Sequence, residues 1–169
     1  MTRFSLRLPR RQARLVALAV AYHLARPGSE LDRGTLQEYE HGLAEVPAAL
    51  DPQLDGERAT LELSSLQVTL LATAMSSVVS ELKMYSVFDT MAGESGRARS
   101  TAAGFDQRLG ALFPEVAAEP SAADTLAGEV TMLRRKLPLA RARELIAEEQ
   151  RLADQRARAG RKRWRFWRR

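Results

Sequence analysis

The residues whose types could do chemistry are concentrated in the last nine positions, RKRWRFWRR. Guanidinium groups bind phosphates, while tryptophan and phenylalanine stack on exposed bases or sit in the headgroup region of a membrane. The chain has only two tryptophans, and both lie in this segment. A solubilising tail would explain the basic residues but not the tryptophans. We therefore predict a polyanion-binding site made of Arg161, Lys162, Arg163, Trp164, Arg165, Phe166, Trp167, Arg168 and Arg169.

The charge of the chain is divided between two basic ends and an acidic middle. Residues 1–29 carry six arginines and no acidic residue, and residues 156–169 carry eight basic residues and no acidic one. Residues 30–155 hold the remaining 12 basic and all 21 acidic residues, a net charge of −9. Such basic ends usually mark surfaces that bind polyanions. The predicted surface therefore also includes the N-terminal residues Arg10, Arg11 and Arg14.

A second candidate anion site is the loop GESGRARST, residues 93–101. Its two glycines allow backbone N–H groups to converge, and Arg97 and Arg99 add positive charge. Ser100 or Thr101 would cap the helix that follows. Loops of this composition are more often flexible connectors, so the site is secondary to the tail.

The sequence contains few residues or motifs typical of catalytic or metal sites. The absence of cysteine excludes disulfides, thiolate nucleophiles and cysteine-based zinc sites. Glu38 and His41 have the i, i+3 spacing of a metal-binding pair, but no second pair matches them. No phosphate-binding loop, nucleophile elbow or zinc-protease motif occurs. We therefore predict a non-enzymatic protein with no catalytic residues, no metal and no cofactor.

Two segments with the same pattern are expected to form the body that positions these sites. FSLRLPRRQARLVALAVA begins at Phe4, and ATLELSSLQVTLLATAMS begins at Ala59, an offset of 55. Each opens with an alternation of apolar and polar residues, which is typical of a short half-buried strand. A helix start follows in each, with Pro9 in the first turn of one helix and a Ser64…Gln67 capping box in the other.

A second helix is predicted in each unit. TLQEYEHGLAEVP begins at Thr35 and TAAGFDQRLGALF at Thr101, and Tyr39 corresponds to Phe105 at an offset of 66. The strands must pair, because a single strand is unstable alone. The predicted fold is mainly α, a pseudo-two-fold duplicated strand–helix–helix unit with a small two-stranded sheet and a C-terminal charged helical extension. The body spans 1–113, with repeat 1 at about 3–47 and repeat 2 at about 58–113.

The central helix of this body is predicted over residues 65–90. Apolar residues recur along it at intervals of three and four, as in a helix with one buried face, at Val68, Leu71, Met75, Val78, Leu82 and Tyr85. The apolar run from Leu15 to Ala25 is too short to span a bilayer, and no other segment of the chain, the central helix included, is expected to reach transmembrane length.

The composition of residues 114–123 predicts a linker, and a Ser121…Asp124 capping box opens the next helix. Pro138 should break or kink that helix, and Gly160 should end it. The predicted boundaries are thus a kinked helical extension over 124–159 and a basic aromatic tail over 160–169.

The function predicted from these features is non-enzymatic binding of nucleic acid, or an adaptor role, through the tail and the basic N-terminus. An anionic membrane surface is the alternative partner, followed by an acidic protein or a second copy of the chain. The i, i+3 spacing of Trp164 and Trp167 favours a membrane, and the N-terminal arginines favour extended nucleic acid. The arginine- and alanine-rich composition suggests a bacterial protein, cytoplasmic or peripheral to the inner face of a membrane.

Overall fold

A computed structural model describes residues 3–26, 42–92, 104–119 and 121–166, without the side chains of 87–92, 117 and 159–166. The described chain is mainly helical with a small two-stranded antiparallel sheet, as predicted. Its elements, in order, are β1 (Arg3–Pro9), α1 (Arg10–Ala25), α2 (Val46–Leu50), β2 (Arg58–Ser64), α3 (Ser65–Ala92), α4 (Phe105–Leu112), α5 (Pro114–Ala118), α6 (Ala122–Arg135) and α7 (Leu139–Phe166).

The sheet has the alternation that the sequence predicts. β1 pairs with β2 from Arg3 opposite Ser64 to Pro9 opposite Arg58, so Leu6 faces Leu61. The apolar residues of both strands lie on the face that packs against the helices. The polar residues lie on the opposite, solvent-facing side, because successive side chains of a strand point to opposite faces.

The start of α3 is the predicted capping box. The Ser64 N–H donates to Gln67 Oε1 at 2.9 Å, and the Gln67 N–H donates to Ser64 Oγ at 3.2 Å. Gln67 Nε2 also donates to the carbonyl of Gly42 at 2.9 Å, which ties the segment before α2 to the helix start. The prediction for α1 needs one correction, because Pro9 ends β1 in an extended conformation and the helix begins at Arg10.

Helix α3 is the centre of the core, as predicted. It packs against α1, α6 and α7. The hydroxyls of Thr69 and Ser76 donate to the carbonyls of Ser65 and Ala72 in the preceding turn. These small polar residues therefore satisfy themselves on their own helix and leave room for close helix packing. Five residues of the predicted stripe are fully buried: Val68, Leu71, Met75, Val78 and Leu82.

One part of α3, Ser65–Ser86, is by length and composition apolar enough to cross a membrane, with a mean hydropathy of 1.2. The expectation that no such segment exists is therefore wrong. Half of this stretch is buried inside the protein. A core helix meets the same criteria because it must be apolar on most of its circumference. We assign α3 to the core on the basis of its burial.

The predicted second helices are described only in part. In the first unit Gly42–Glu45 form a bend and a turn, and Val46–Leu50 is a separate short helix with Pro47 in its first turn. Residues 27–41, with Thr35, Glu38, Tyr39 and His41, lie outside the described residues. In the second unit α4 begins at Phe105 after Gly104, whose φ of 76° is one that glycine adopts without strain.

Residues after the predicted body also contribute to its core. The segment 114–123 contains α5, and its Val116 is buried. Leu126, Val130 and Leu133 of α6 are buried against α3, so the first half of the predicted extension belongs to the core. Ser121 does not cap α6, since its hydroxyl donates to Glu119 Oε1 at 2.8 Å. Pro138 separates α6 from α7, as predicted.

Helix α7 leaves the body after its first turns. Ala142 is buried and Leu145 and Ile146 are half-buried, whereas every residue from Glu148 to Arg158 is exposed. The helix continues through Gly160 to Phe166, so the prediction that Gly160 ends it is wrong. An interior glycine costs only about 1 kcal/mol relative to alanine, which a long helix tolerates. We call residues 148–166 the arm; at 1.5 Å per residue it is roughly 28 Å long.

Candidate polyanion-binding surfaces

Arg11, in the first turn of α1, contacts two other helices. Its guanidinium makes a two-point contact with Glu129 of α6, with Nε 2.6 Å from Oε2 and Nη2 2.9 Å from Oε1. Its Nη1 donates to Glu115 Oε1 of α5 at 2.9 Å, and the group lies 5.6 Å from the centre of the Phe113 ring. The arginine thus joins α1 to α5 and α6 through directed bonds.

The hydrogen bond to Glu129 is the largest influence on the pKa of Arg11 and raises it above its ordinary value. Partial burial acts in the opposite direction, and Glu115 raises the pKa further. A guanidinium between two carboxylates stays protonated, but their negative charges offset its own. It therefore attracts an external phosphate less strongly than an unpaired arginine would.

Arg10 and Arg14 also bind groups within the protein. Arg10 Nε donates to the Gly56 carbonyl at 3.0 Å, and its Nη2 donates to the Asp55 carbonyl. Arg14 Nη1 donates to the Leu112 carbonyl at 3.5 Å, and its Nη2 lies 3.9 Å from Asp55 Oδ1. All three N-terminal arginines of the predicted site therefore connect the start of α1 to neighbouring loops and helices.

The basic tail lies at the far end of the arm. Residues 161–166 are the last turns of α7, and Trp167, Arg168 and Arg169 lie outside the described residues. Arg151, Arg156 and Arg158 precede the tail on the exposed part of the arm, where Glu148, Glu149 and Asp154 also lie. The arm therefore becomes steadily more basic toward its end. The two predicted basic surfaces therefore differ: the N-terminal arginines bind groups of the body, whereas the basic residues of the arm extend away from it.

The secondary anion loop, with Arg97, Arg99, Ser100 and Thr101, lies outside the described residues, as does the Glu38–His41 pair. Within the parts of the chain that the structure describes, no group of three or more metal-ligating side chains comes together.

A partly buried polar cluster between α1 and α3 is absent from the sequence predictions. The Tyr22 hydroxyl donates to Glu81 Oε2 at 2.9 Å, and Arg26 donates from Nη1 to Ser77 Oγ at 3.1 Å while lying 5.9 Å from the Tyr22 ring. The Tyr22 ring meets Phe105 of α4 edge-on at 5.2 Å. No local pattern indicates this cluster, because Tyr22 and Glu81 are 59 residues apart.

The pH dependence of stability should report on Tyr22. Burial, followed by the hydrogen bond to Glu81, raises the pKa of Tyr22 from 10.0 to about 12. The folded state therefore favours the neutral phenol, and its contribution to stability is intact below pH 10 and lost as the pH rises through about 12. We expect one of the chain's three tyrosines to ionise late in an absorbance titration at 295 nm. Tyr22→Phe should remove that late transition, and a titration unchanged by Tyr22→Phe would contradict the assignment.

Comparison of the chain with protein-family models, curated proteins and solved structures finds no match. The fold and the surfaces therefore define the protein by themselves: a mainly helical body with a two-stranded sheet on one side, and a helical arm whose last turns carry basic and aromatic residues.

Proposed function

We propose that this protein is a non-enzymatic docking protein whose arm binds an anionic membrane surface. The observation that carries the proposal is the continuation of α7 as a helix to Phe166, beyond exposed residues 148–158. A helical arm presents its basic and aromatic residues at defined angles and away from the body. An interfacial helix needs this arrangement, with cations at the headgroups and aromatic rings at the acyl boundary.

The spacing of the arm residues supports a membrane. Trp164 and Trp167 are three apart and would share one face of a continuous helix, next to the face that carries Arg161, Arg165 and Arg168. Apolar residues also recur along α7 every seven positions, at Leu145, Leu152, Ala159 and Phe166. The described part of this strip includes Leu152, which is 45% exposed.

The contacts of the N-terminal arginines weaken the case for nucleic acid as the first candidate. Arg10, Arg11 and Arg14 bind carboxylates and carbonyls of the protein itself. A second basic patch for an extended strand is therefore less available than the sequence indicates, and the proposed site contains the arm alone.

Intrinsic fluorescence provides a direct test, because the only two tryptophans lie in the tail. We expect the full chain to co-sediment with vesicles of mixed phosphatidylserine and phosphatidylcholine, and its emission to shift to the blue as the indoles leave water. Neutral phosphatidylcholine vesicles should give neither effect, and a chain truncated after Ala159 should not co-sediment with either. Unshifted emission on anionic vesicles would overturn the membrane assignment.

Nucleic acid remains the second candidate because Arg151, Arg156 and Arg158 extend the basic tract along the exposed arm. Stacking on bases requires aromatic rings, whereas membrane insertion requires only apolar bulk. The double variant Trp164→Leu, Trp167→Leu should therefore keep most of its vesicle binding. If DNA or RNA is the partner, the same variant should lose binding by about tenfold or more, at about 1–3 kcal/mol per stacked base.

We also propose that β1–α1 and β2–α3 derive from one duplicated unit. Both strands have seven residues, and both helices begin directly after them, at Arg10 and Ser65, an offset of 55. Leu6 faces Leu61, its counterpart at the same offset, so a two-fold axis between them exchanges the two strands. The support ends there, since the second helices do not correspond within the described residues.

A further inference from the structure

The two edges of the small sheet differ. The N–H of Arg10 donates to the carbonyl of Glu57 at 2.9 Å, which extends the β1–β2 register by one bonded pair. In an antiparallel ladder bonded and non-bonded pairs alternate, so Ser5 and Arg7 on β1, and Thr60 and Glu62 on β2, direct their backbone groups away from the partner strand. Pro9 is consistent with this alternation, because it occupies an outward position where a missing N–H removes no bond to β2.

The outer edge of β2 is partly satisfied within the protein, at Thr60 and Ser64. The amide of the Gln53 side chain bonds to the backbone of Thr60 as a neighbouring strand would. Its Oε1 accepts from the Thr60 N–H at 2.9 Å, and its Nε2 donates to the Thr60 carbonyl at 3.1 Å. The outward N–H of Ser64 is taken by Gln67. Helix α2 lies beside the same edge across an open groove.

The outer edge of β1 has no such cover in the part of the chain that the structure describes. The outward N–H and C=O groups of Ser5 and Arg7 make no hydrogen bond there. Phe4 and Leu6 are only half-buried, whereas Leu63 and Leu61 opposite them are 0% and 2% exposed. The apolar underside of the sheet is therefore incompletely covered on the β1 side alone. An exposed strand edge of this kind is a template for one more strand.

The charge on the outer face of the sheet indicates which strand would fit. Arg3 and Arg7 stand exposed on β1, with Arg58 on β2, and Glu62 is the one acidic residue of this face. A second copy of β1 is a poor occupant, because antiparallel pairing centred on Ser5 would place Arg3 opposite Arg7 of that copy, and like charges directly opposite are destabilising.

We propose that the outer edge of β1 binds an extended acidic segment of a partner protein as a third strand. The segment alternates acidic and apolar residues, so that its carboxylates meet Arg3 and Arg7 while its apolar side chains cover Phe4 and Leu6. Its backbone pairs with Ser5 and Arg7. This surface is separate from the arm and does not depend on the membrane proposal.

The test uses the full chain and fluorescently labelled peptides matched in length to β1. One peptide alternates glutamate and valine, and the second has the same composition with the glutamates grouped together. The tail should attract both equally through charge, so only the difference reports on β1. We expect the alternating peptide to bind at least about tenfold tighter, and the amides of Ser5 and Arg7 to gain protection from hydrogen exchange. Equal binding of the two peptides would overturn the proposal.

Three variants sharpen the result. Ser5→Pro removes the outward N–H without removing a bond to β2, and should abolish the preference for the alternating peptide, while Ser5→Ala should keep it. The double variant Arg3→Glu, Arg7→Glu leaves every β1–β2 bond intact and should transfer the preference to an alternating lysine–valine peptide. If that variant still prefers the glutamate peptide, the assignment of the acidic segment to this edge is wrong.

Discussion

Replacing Arg161, Lys162, Arg163 and Arg165 together by glutamine is expected to lower the partition of the protein onto anionic vesicles by about three orders of magnitude. Each basic residue near such a surface contributes about 1 kcal/mol, and about 1.4 kcal/mol corresponds to a tenfold change in affinity. The variant retains both tryptophans, so a vesicle titration followed by their fluorescence measures the change directly. The loss should be largest at low salt, because the interaction is screened within a Debye length.

A matched control separates the position of the charges from their number. Lys83, Arg135, Lys136 and Arg143 are exposed basic residues of the body and the start of α7, and their replacement by glutamine changes the net charge equally. We expect this variant to partition within about threefold of the unaltered protein, since these residues lie away from the arm's end. Equal losses in the two variants would mean that net charge alone drives binding, which contradicts a specific role for the arm.

The variant Leu71→Ala is expected to lower the free energy of unfolding by about 3 kcal/mol. Leu71 is 0% exposed at the centre of α3, and truncating a buried leucine removes both its transfer free energy and its packing contacts. Since small domains are stable by about 5–15 kcal/mol, the loss is a large fraction of the total. Urea denaturation followed by circular dichroism would measure it.

Leu66 provides the control within the same helix, because it is the same residue type and 40% exposed. Leu66→Ala should cost less than about 1 kcal/mol, since little apolar area returns to water. Similar losses at both positions would contradict the assignment of α3 to the core with Leu71 on its buried face.

Local patterns predicted the elements that are determined by local physics. The alternation in residues 3–9 and 58–64 identified both strands, because a strand with one buried face requires that period. The Ser64…Gln67 capping box identified the start of α3 because its two hydrogen bonds span only three residues. The apolar stripe from Val68 to Leu82 identified the buried face of α3, because its intervals of three and four residues are also a local pattern.

Features that depend on distant contacts were predicted poorly. The composition of residues 114–123 is that of a linker, yet Val116 is buried against other elements. Gly160 is a separate, local error: it has the sequence character of a helix end, but α7 continues beyond it because flanking helix formers outweigh one glycine. The packing of α6 against α3 could not be inferred from local patterns, since the two helices are separated along the chain by α4 and α5.

By itself the sequence determined the composition of the tail, the two strands, the Ser64 cap and the buried face of α3, because each depends on neighbours within a few positions. The tertiary structure decided what the arginines contact. Arg11 meets Glu129 across 118 residues and Arg10 meets Gly56 across 46, whereas the arm continues past its last contact with the body. Arginines occur both in α1 and in the arm, and the sequence does not distinguish them. Only the fold brings distant carboxylates and carbonyls to the arginines of α1, which are therefore bonded within the protein.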